Sequence, residues 1–223
     1  MDLVLRTQLN ELEKKMTAYM MLLHFRYLNL CVKAEAASLV PVNVIVLGDN
    51  KNIEEVAEVA IPDEFHLAVI PKDDEFREEI IHAVTFSHPE FKLSMKTVEM
   101  GGKDKQYMEY EMPEVDKNRR DFLNQAVKGL FDEAKLKIDT AYHEEQAGFA
   151  AYLANSSDQL REVNAALDDI YDKSLQSIRD SRDEKLQEIE EGYIRYLNKQ
   201  ADQEGSEGNA DYDVTHSMKI DHK

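Results

Sequence analysis

The chain has 223 residues, 43% of them apolar, enough for one large or two small folded domains and unlike a disordered composition. Charge is the outlier, since 27 Lys and Arg against 45 Asp and Glu leave a formal net of −18. A surface of that sign repels phosphate backbones, which excludes DNA and broad non-specific nucleic-acid binding and leaves RNA contact to a local basic patch.

The single cysteine, Cys31, rules out an internal disulfide framework and fits a reducing compartment. No apolar run approaches the roughly 18 residues of a membrane span. The N-terminal MDLVLRTQLNELEKK is already helically periodic and reads as neither a signal peptide nor an intact transit peptide, leaving open a transit peptide removed ahead of it.

Leu5, Leu9, Leu12, Met16, Tyr19, Leu23, Tyr27 and Leu30 recur at spacings of mostly three and four. That stripe predicts a long amphipathic helix, packed in a bundle and ending near Pro41. From Val42 the texture changes to short β-branched runs, Val42 to Leu47, Val56 to Ile61 and Leu67 to Ile70, separated by the turn signals Gly48-Asp49-Asn50 and Pro62-Asp63. A short helix follows with Phe76, Ile80, Ala83 and Val84 on one face, then a hairpin turning at Gly101-Gly102.

Asp116 is the predicted N-cap of a second long helix carrying Leu123, Val127, Leu130, Ala134, Ile138 and Ala141. A turn near Ser156 and Ser157 leads to a third, with Leu160, Val163, Leu167, Ile170, Ile178, Leu186, Ile189, Tyr193 and Leu197. The expected fold class is therefore α+β. A long three-helix bundle (residues 1–40 and 113–200) carries a small inserted β/α domain (residues 41–112), and an acidic flexible tail (residues 201–223) follows.

Chemistry-bearing residues are few. Tyr142-His143-Glu144-Glu145 looks like a site, but consecutive helical residues diverge, and the pair of His143 with Asp139 is a poor ligand set. His66, His82 and His88 have no nucleophile or carboxylate partner at readable spacing, and Cys31 reads as a small buried apolar residue. Gly101-Gly102 alone is too little for a phosphate loop. The expectation is a protein that is not an enzyme, with no catalytic residue, no metal set and no cofactor.

Four collinear stretches resemble the ribosome recycling factor family across residues 5–197. GDNKNIEEVAEVAIP is similar to the family's YGxxxPLxQLAxVxV, with Gly48 at the turn and Ile53, Val56, Ala57, Val59 and Ile61 at apolar positions. HLAVIPKDDEF is similar to TLxIxPxD, and EEIIHAVTFSHPEFKL follows xxIEKAIxxSDLGLNP with Ala83 and Ser87 in register. MPEVDKNRRDFLNQAVKGLFDEAKLKI resembles LPPLTEERRKDLxKxVKxxAExAKVxI almost without gaps. The resemblance implies a long helical bundle with an inserted β domain, acting at the ribosome by wedging between subunits without covalent chemistry.

The departures fall where the resemblance implies rRNA contact. The family's RTGRA aligns with Leu30-Cys31-Val32-Lys33-Ala34, so one arginine is leucine and the other lysine. Its RNxRRD aligns with Asp139-Thr140-Ala141-Tyr142-His143-Glu144, and all three arginines are gone. Lys33, Lys128 and Lys135 remain as residual rRNA-contact candidates, while Leu30, Asp139, Tyr142 and His143 are degenerate positions of the RNA face. Lysine does not reproduce arginine's bidentate fork. Between Asp116 and Glu145 seven acids outnumber six basic residues, which is no RNA-binding stripe. Arg119 and Arg120 are expected at the interdomain joint, in an architectural role the resemblance implies.

The expected function is that of a divergent member in organellar translation. It would be repurposed as a structural or assembly component of the mitochondrial ribosome, bound mainly through ribosomal or other organellar proteins, with rRNA contact weak or lost. The alternatives are an active recycling factor that splits post-termination ribosomes, and a scaffold subunit of a non-ribosomal organellar complex. The expected location is the mitochondrial matrix or another organelle, or the cytoplasm in a bacterium.

Overall fold

The computed structural model describes residues 2–100 and 102–216, with side-chain surroundings described for residues 2–99, 102 and 104–203. Helix α1 (Leu3–Leu28) opens on Asp2, whose carboxylate accepts from the Leu5 amide at 3.0 Å and satisfies one of the orphan N–H groups of the first turn. The predicted stripe buries Leu5, Leu9, Leu12, Met16, Leu23 and Tyr27 against helices α4 (Lys117–Tyr152) and α5 (Ser157–His216). Residues buried at that 3–4 spacing give about 1.5–3 kcal/mol each, so packing, not propensity, holds these long helices. Leu123, Val127, Phe131, Ile138 and Phe149 of α4 and Val163, Leu167, Ile178 and Ile189 of α5 complete one core.

Helix α1 stops at Leu28, well short of Pro41. Asn29 closes it and the Leu30 amide bonds the Tyr27 carbonyl at 3.0 Å. The side chains that follow then part company, Val32 entering the bundle core and Cys31 the core of the β domain. A continuous helix could not serve both cores from adjacent residues, so the chain unwinds here.

The β domain opens with the ribbon of β1 (Asn43–Val46) and β2 (Asp49–Asn52). The stretch Asp49–Asn52, expected as a turn, is thus a strand; its polar residues lack strand propensity and pair because the hairpin dictates it. The two-residue loop has φ of 52° at Leu47 and 89° at Gly48, the left-handed pair of a type I′ turn. Glycine takes that conformation freely, whereas Leu47 is strained there and is 97% exposed, so no packing compensates. Leu47→Asn should stabilise the chain by about 1 kcal/mol, since Asn tolerates left-handed backbone. A urea midpoint unchanged or lowered in that variant would contradict this.

A one-turn helix, α2 (Ile53–Val56), leads into an antiparallel sheet of β3 (Ala57–Asp63), β4 (His66–Pro71), β5 (Lys92–Met100) and β6 (Lys103–Glu111) in the order β3-β4-β6-β5. Helix α3 (Arg77–Ser87) buries Ile80 and Val84 in a second core with Val44, Ile53, Val56, Leu67, Val69, Met108 and Tyr110.

Asp116 caps α4 as expected, accepting from the Arg119 amide at 2.7 Å. The stretch from Ala201, expected as a flexible tail, continues α5 to His216; no proline follows Pro113 to stop it, and residues 217–223 lie outside the described part. No described helix is long and apolar enough to cross a membrane.

Candidate nucleic-acid interface

The face flagged by the sequence is built by the end of α1 and the middle of α4. Leu30 does not point outward like a phosphate-binding side chain: it is half-buried against the bundle core. Lys33 is half-exposed but paired with Glu35 at 2.9 Å, and that hydrogen bond raises the ammonium pKa above its ordinary value. Lys135 reaches one turn along α4 to Asp139 at 2.6 Å. Lys128 is exposed and, among the described residues, alone of the three lysines in having no acidic partner. Two of the three residual cations are therefore already neutralised by neighbouring acids.

The degenerate positions are occupied by a different structure. Asp139 accepts from Lys135 through Oδ2 and from the Tyr171 hydroxyl of α5 through Oδ1 at 2.8 Å. Tyr142 donates its hydroxyl to Asp168 of α5 at 2.6 Å and accepts from the Gln146 amide at 3.1 Å. The two tyrosine rings meet with centroids 4.4 Å apart. Asp139 and Tyr142 thus act as a polar clasp between α4 and α5, and of the degenerate α4 positions only His143 stands exposed.

The clasp shifts its own proton affinities. Burial opposes ionisation of Asp139, but the bonds from Lys135 and Tyr171 prevail and hold its carboxyl below the ordinary range. Burial and the Asp139 carboxylate together push the Tyr171 phenol up to about 12. Asp139→Asn should cost about 1–2 kcal/mol at neutral pH, part of the roughly 1.5–3 kcal/mol of hydrogen bonds to a charged group, because Asn keeps an oxygen acceptor but loses the charge. A depressed carboxyl pKa contributes stability that is present above the unfolded value near 4 and is lost as pH falls through the folded one. The gap between wild type and variant should therefore be full at pH 7 and shrink below about pH 4. Urea unfolding of both proteins at pH 7 and pH 3 checks it, and equal gaps would reject the clasp.

Glu133 on the same helix is shared by Arg26 of α1 and Lys137, the second contact at 2.7 Å. These hydrogen bonds lower its carboxyl pKa, Lys137 contributing most. Arg26 was not singled out by the sequence, and its engagement takes a further cation of this face into an intramolecular pair.

Arg119 and Arg120 both make internal contacts. Arg119 donates to the Cys31 carbonyl at 2.9 Å, bridging α4 to the linker after α1. Arg120 lies 4.3 Å over the Tyr193 ring of α5 and 3.8 Å from Glu190.

Sequence reasoning missed one cluster. His88 was expected to lack a carboxylate or nucleophilic partner, but the fold sets its Nδ1 3.8 Å from Cys31 Sγ and 3.8 Å from Glu90 Oε1. Its Nε2 donates to the Ser38 carbonyl at 3.1 Å, and its ring stacks on Phe91 at 4.6 Å. Burial disfavours the imidazolium, yet the bonds to Cys31 and Glu90 outweigh it and raise the pKa to about 9. The only sequence signal was Glu90 two residues on; Cys31 lies 57 residues away.

Against known proteins, the family model described as ribosome recycling factor matches residues 25–189. No curated protein sequence matches the chain. Two of the solved structures that share its fold are relatives of this kind. One is a solution structure of the ribosome recycling factor, 17% identical, covering 86% of this chain and 100% of that one with a TM-score of 0.69. The other comes from models of the T. thermophilus ribosome recycling factor and the E. coli elongation factor G bound to the E. coli post-termination complex. It is 21% identical, covering 83% of this chain and 98% of that one with a TM-score of 0.54. With about three-quarters of the sequence under the family model and the bundle with its inserted β domain in the expected order, the chain belongs to the ribosome recycling factor family.

Proposed function

We propose that this chain associates with ribosomes mainly through protein contacts, as a structural or assembly component in organellar translation with its rRNA contacts weakened. The observation that carries the reading is the clasp: Asp139 and Tyr142, at positions where the family resemblance puts arginines, are bonded to Tyr171 and Asp168 of α5. A face that satisfies its own polar groups and pairs Lys33 and Lys135 with acids has few cations left to release counterions from RNA. The net charge of −18 suits basic protein partners, of which ribosomes have many.

Active recycling is the second reading, supported by retention of the whole architecture. The similar T. thermophilus factor is described bound to a post-termination complex, and members of the family act as non-enzymatic translation factors, which agrees with a role free of covalent chemistry. The mitochondrial matrix or another organelle is the proposed location for the first reading, and the cytoplasm for the second in a bacterium. A scaffold role in a non-ribosomal organellar complex is the outcome if no ribosome binding is found.

Sedimentation of the purified chain with large ribosomal subunits across a salt series separates these readings. Shallow salt dependence and RNase-insensitive co-purification with stoichiometric protein partners are expected. Steep salt dependence together with splitting of post-termination ribosomes would replace the first reading by the second.

A further inference from the structure

We propose that Cys31, His88 and Glu90 form a zinc site at the joint between the bundle and the β domain. The three side chains offer a thiolate sulfur, an imidazole nitrogen and a carboxylate oxygen, all lying within 4.8 Å of one another. That mixed sulfur, nitrogen and oxygen set suits a borderline-soft dication that takes four ligands tetrahedrally. With Zn–S of about 2.3 Å and Zn–N of about 2.0 Å, the sulfur–nitrogen edge of a tetrahedron spans about 3.5 Å. The observed 3.8 Å between Cys31 Sγ and His88 Nδ1 needs to close by only a few tenths of an ångström. The 3.8 Å between His88 Nδ1 and Glu90 Oε1 asks for a similar adjustment.

A second observation points the same way. A ligating histidine characteristically donates its other ring N–H to a carbonyl or carboxylate, which fixes the ring and leaves the coordinating nitrogen aimed at the metal. His88 does this: Nε2 donates to the Ser38 carbonyl, Phe91 stacks on the ring, and Nδ1 is left facing Cys31 and Glu90. Cys31 and His88 are fully buried and Glu90 is partly open. Cys31 and Ser38 also line a cavity of about 140 Å³ bordered by Lys33, Glu35, Lys185 and Glu188.

The charges around the set are compatible with a dication. On binding, the Cys31 thiol and the His88 imidazolium, whose pKa of about 9 keeps it protonated at neutral pH, each release a proton to water, and the thiolate and carboxylate neutralise the ion. The Arg119 guanidinium, which sits on the Cys31 carbonyl, faces Glu90 first and then Cys31 and Asp116, so an ion bound by Glu90 and Cys31 shares those two countercharges with it and Asp116 stays Arg119's own. The ion would tie the linker after α1 to the end of α3, and through the Cys31 carbonyl to α4, fixing the joint from three sides.

The test uses the full chain, purified free of metal, titrated with Zn²⁺ in competition with a chromophoric chelator and separately with Co²⁺. The expected result is one ion per chain with a dissociation constant below roughly micromolar. The Co²⁺ complex should show tetrahedral d–d bands and a near-ultraviolet thiolate band, which exposed histidines cannot give. Cys31→Ser should abolish that band, and Glu90→Gln should weaken Zn²⁺ binding by more than about tenfold, the loss that even an outer-shell partner commonly causes. Glu90 is partly exposed, so its variant should keep the wild-type circular dichroism spectrum and decides the matter if Cys31→Ser does not fold. Absence of a thiolate band in the wild type, or Zn²⁺ binding unchanged in Glu90→Gln, overturns the proposal and leaves the cluster as a hydrogen-bonded set.

Discussion

Replacing Asp139, Tyr142 and His143 together with arginine should steepen the log–log salt dependence of binding to large ribosomal subunits by roughly 2–3. Each new phosphate contact releases somewhat less than one counterion, and three arginines are installed. Asp139→Arg adds more than one charge, because it also releases Lys135 and Tyr171 from the carboxylate they share. The gain has an opposing cost, since loss of the clasp removes two interhelical bonds and should lower the unfolding midpoint. The arginine set that leaves Asp139 in place isolates the two effects: it should gain less in slope and lose less in stability. Sedimentation between 50 and 200 mM salt reads the slopes. A wild-type slope already as steep as the variant's would show that RNA recognition was never weakened at this face.

Gly192→Ala should destabilise the protein by about 1–3 kcal/mol, as overpacking of a filled site does, although alanine is the better helix former. A Cβ at Gly192 would lie 2.6 Å from Val32 Cγ1 and 3.0 Å from Val115 Cγ2. Both valines are buried where the chain leaves and re-enters the bundle, so neither can step aside without moving the joint. Gly129 and Gly148 lie in α4 with nothing within 4 Å of an added Cβ. Alanine at either should stabilise by about 0.5–1 kcal/mol through helix propensity alone. Denaturant midpoints of the three single variants give the comparison. Stabilisation at all three positions would show that α5 is not in close contact with Val32.

The long helices were legible because their cores repeat with helical period: Leu5, Leu9, Leu12, Met16, Leu23 and Tyr27 face inward as their spacing implied. Asp116 was legible because capping is local chemistry. The end of α1 was not, because what stops it is the divergence of Cys31 and Val32 into separate cores, and periodicity runs through both. Strand β2 was hidden by its composition, DNKN, whose pairing comes from the Leu47-Gly48 turn.

For the candidate interface, sequence could report that arginines were missing but not what replaced them. Tyr142 meets Asp168 across 26 positions and Asp139 meets Tyr171 across 32, distances fixed only by how α4 and α5 slide into register. The His88 cluster was opaque for the same reason, with its thiol on the far side of the β1–β4 segment of the chain.

Helix α5 runs 60 residues, about 90 Å at the usual rise per residue, and it does not stop where the bundle core stops. Beyond Ile189 it passes the β domain, where Arg195 reaches Glu64 at 2.6 Å and Lys199 pairs with Glu114 at the return linker. The same rod therefore stiffens the bundle and serves as a rest for the inserted domain, like a door frame with two light catches. Exposed pairs of this kind contribute little and weaken with salt. Salt therefore loosens these two catches, while the Arg119 bond to the Cys31 carbonyl and the packing of Val32 and Val115 against Gly192 still hold the joint.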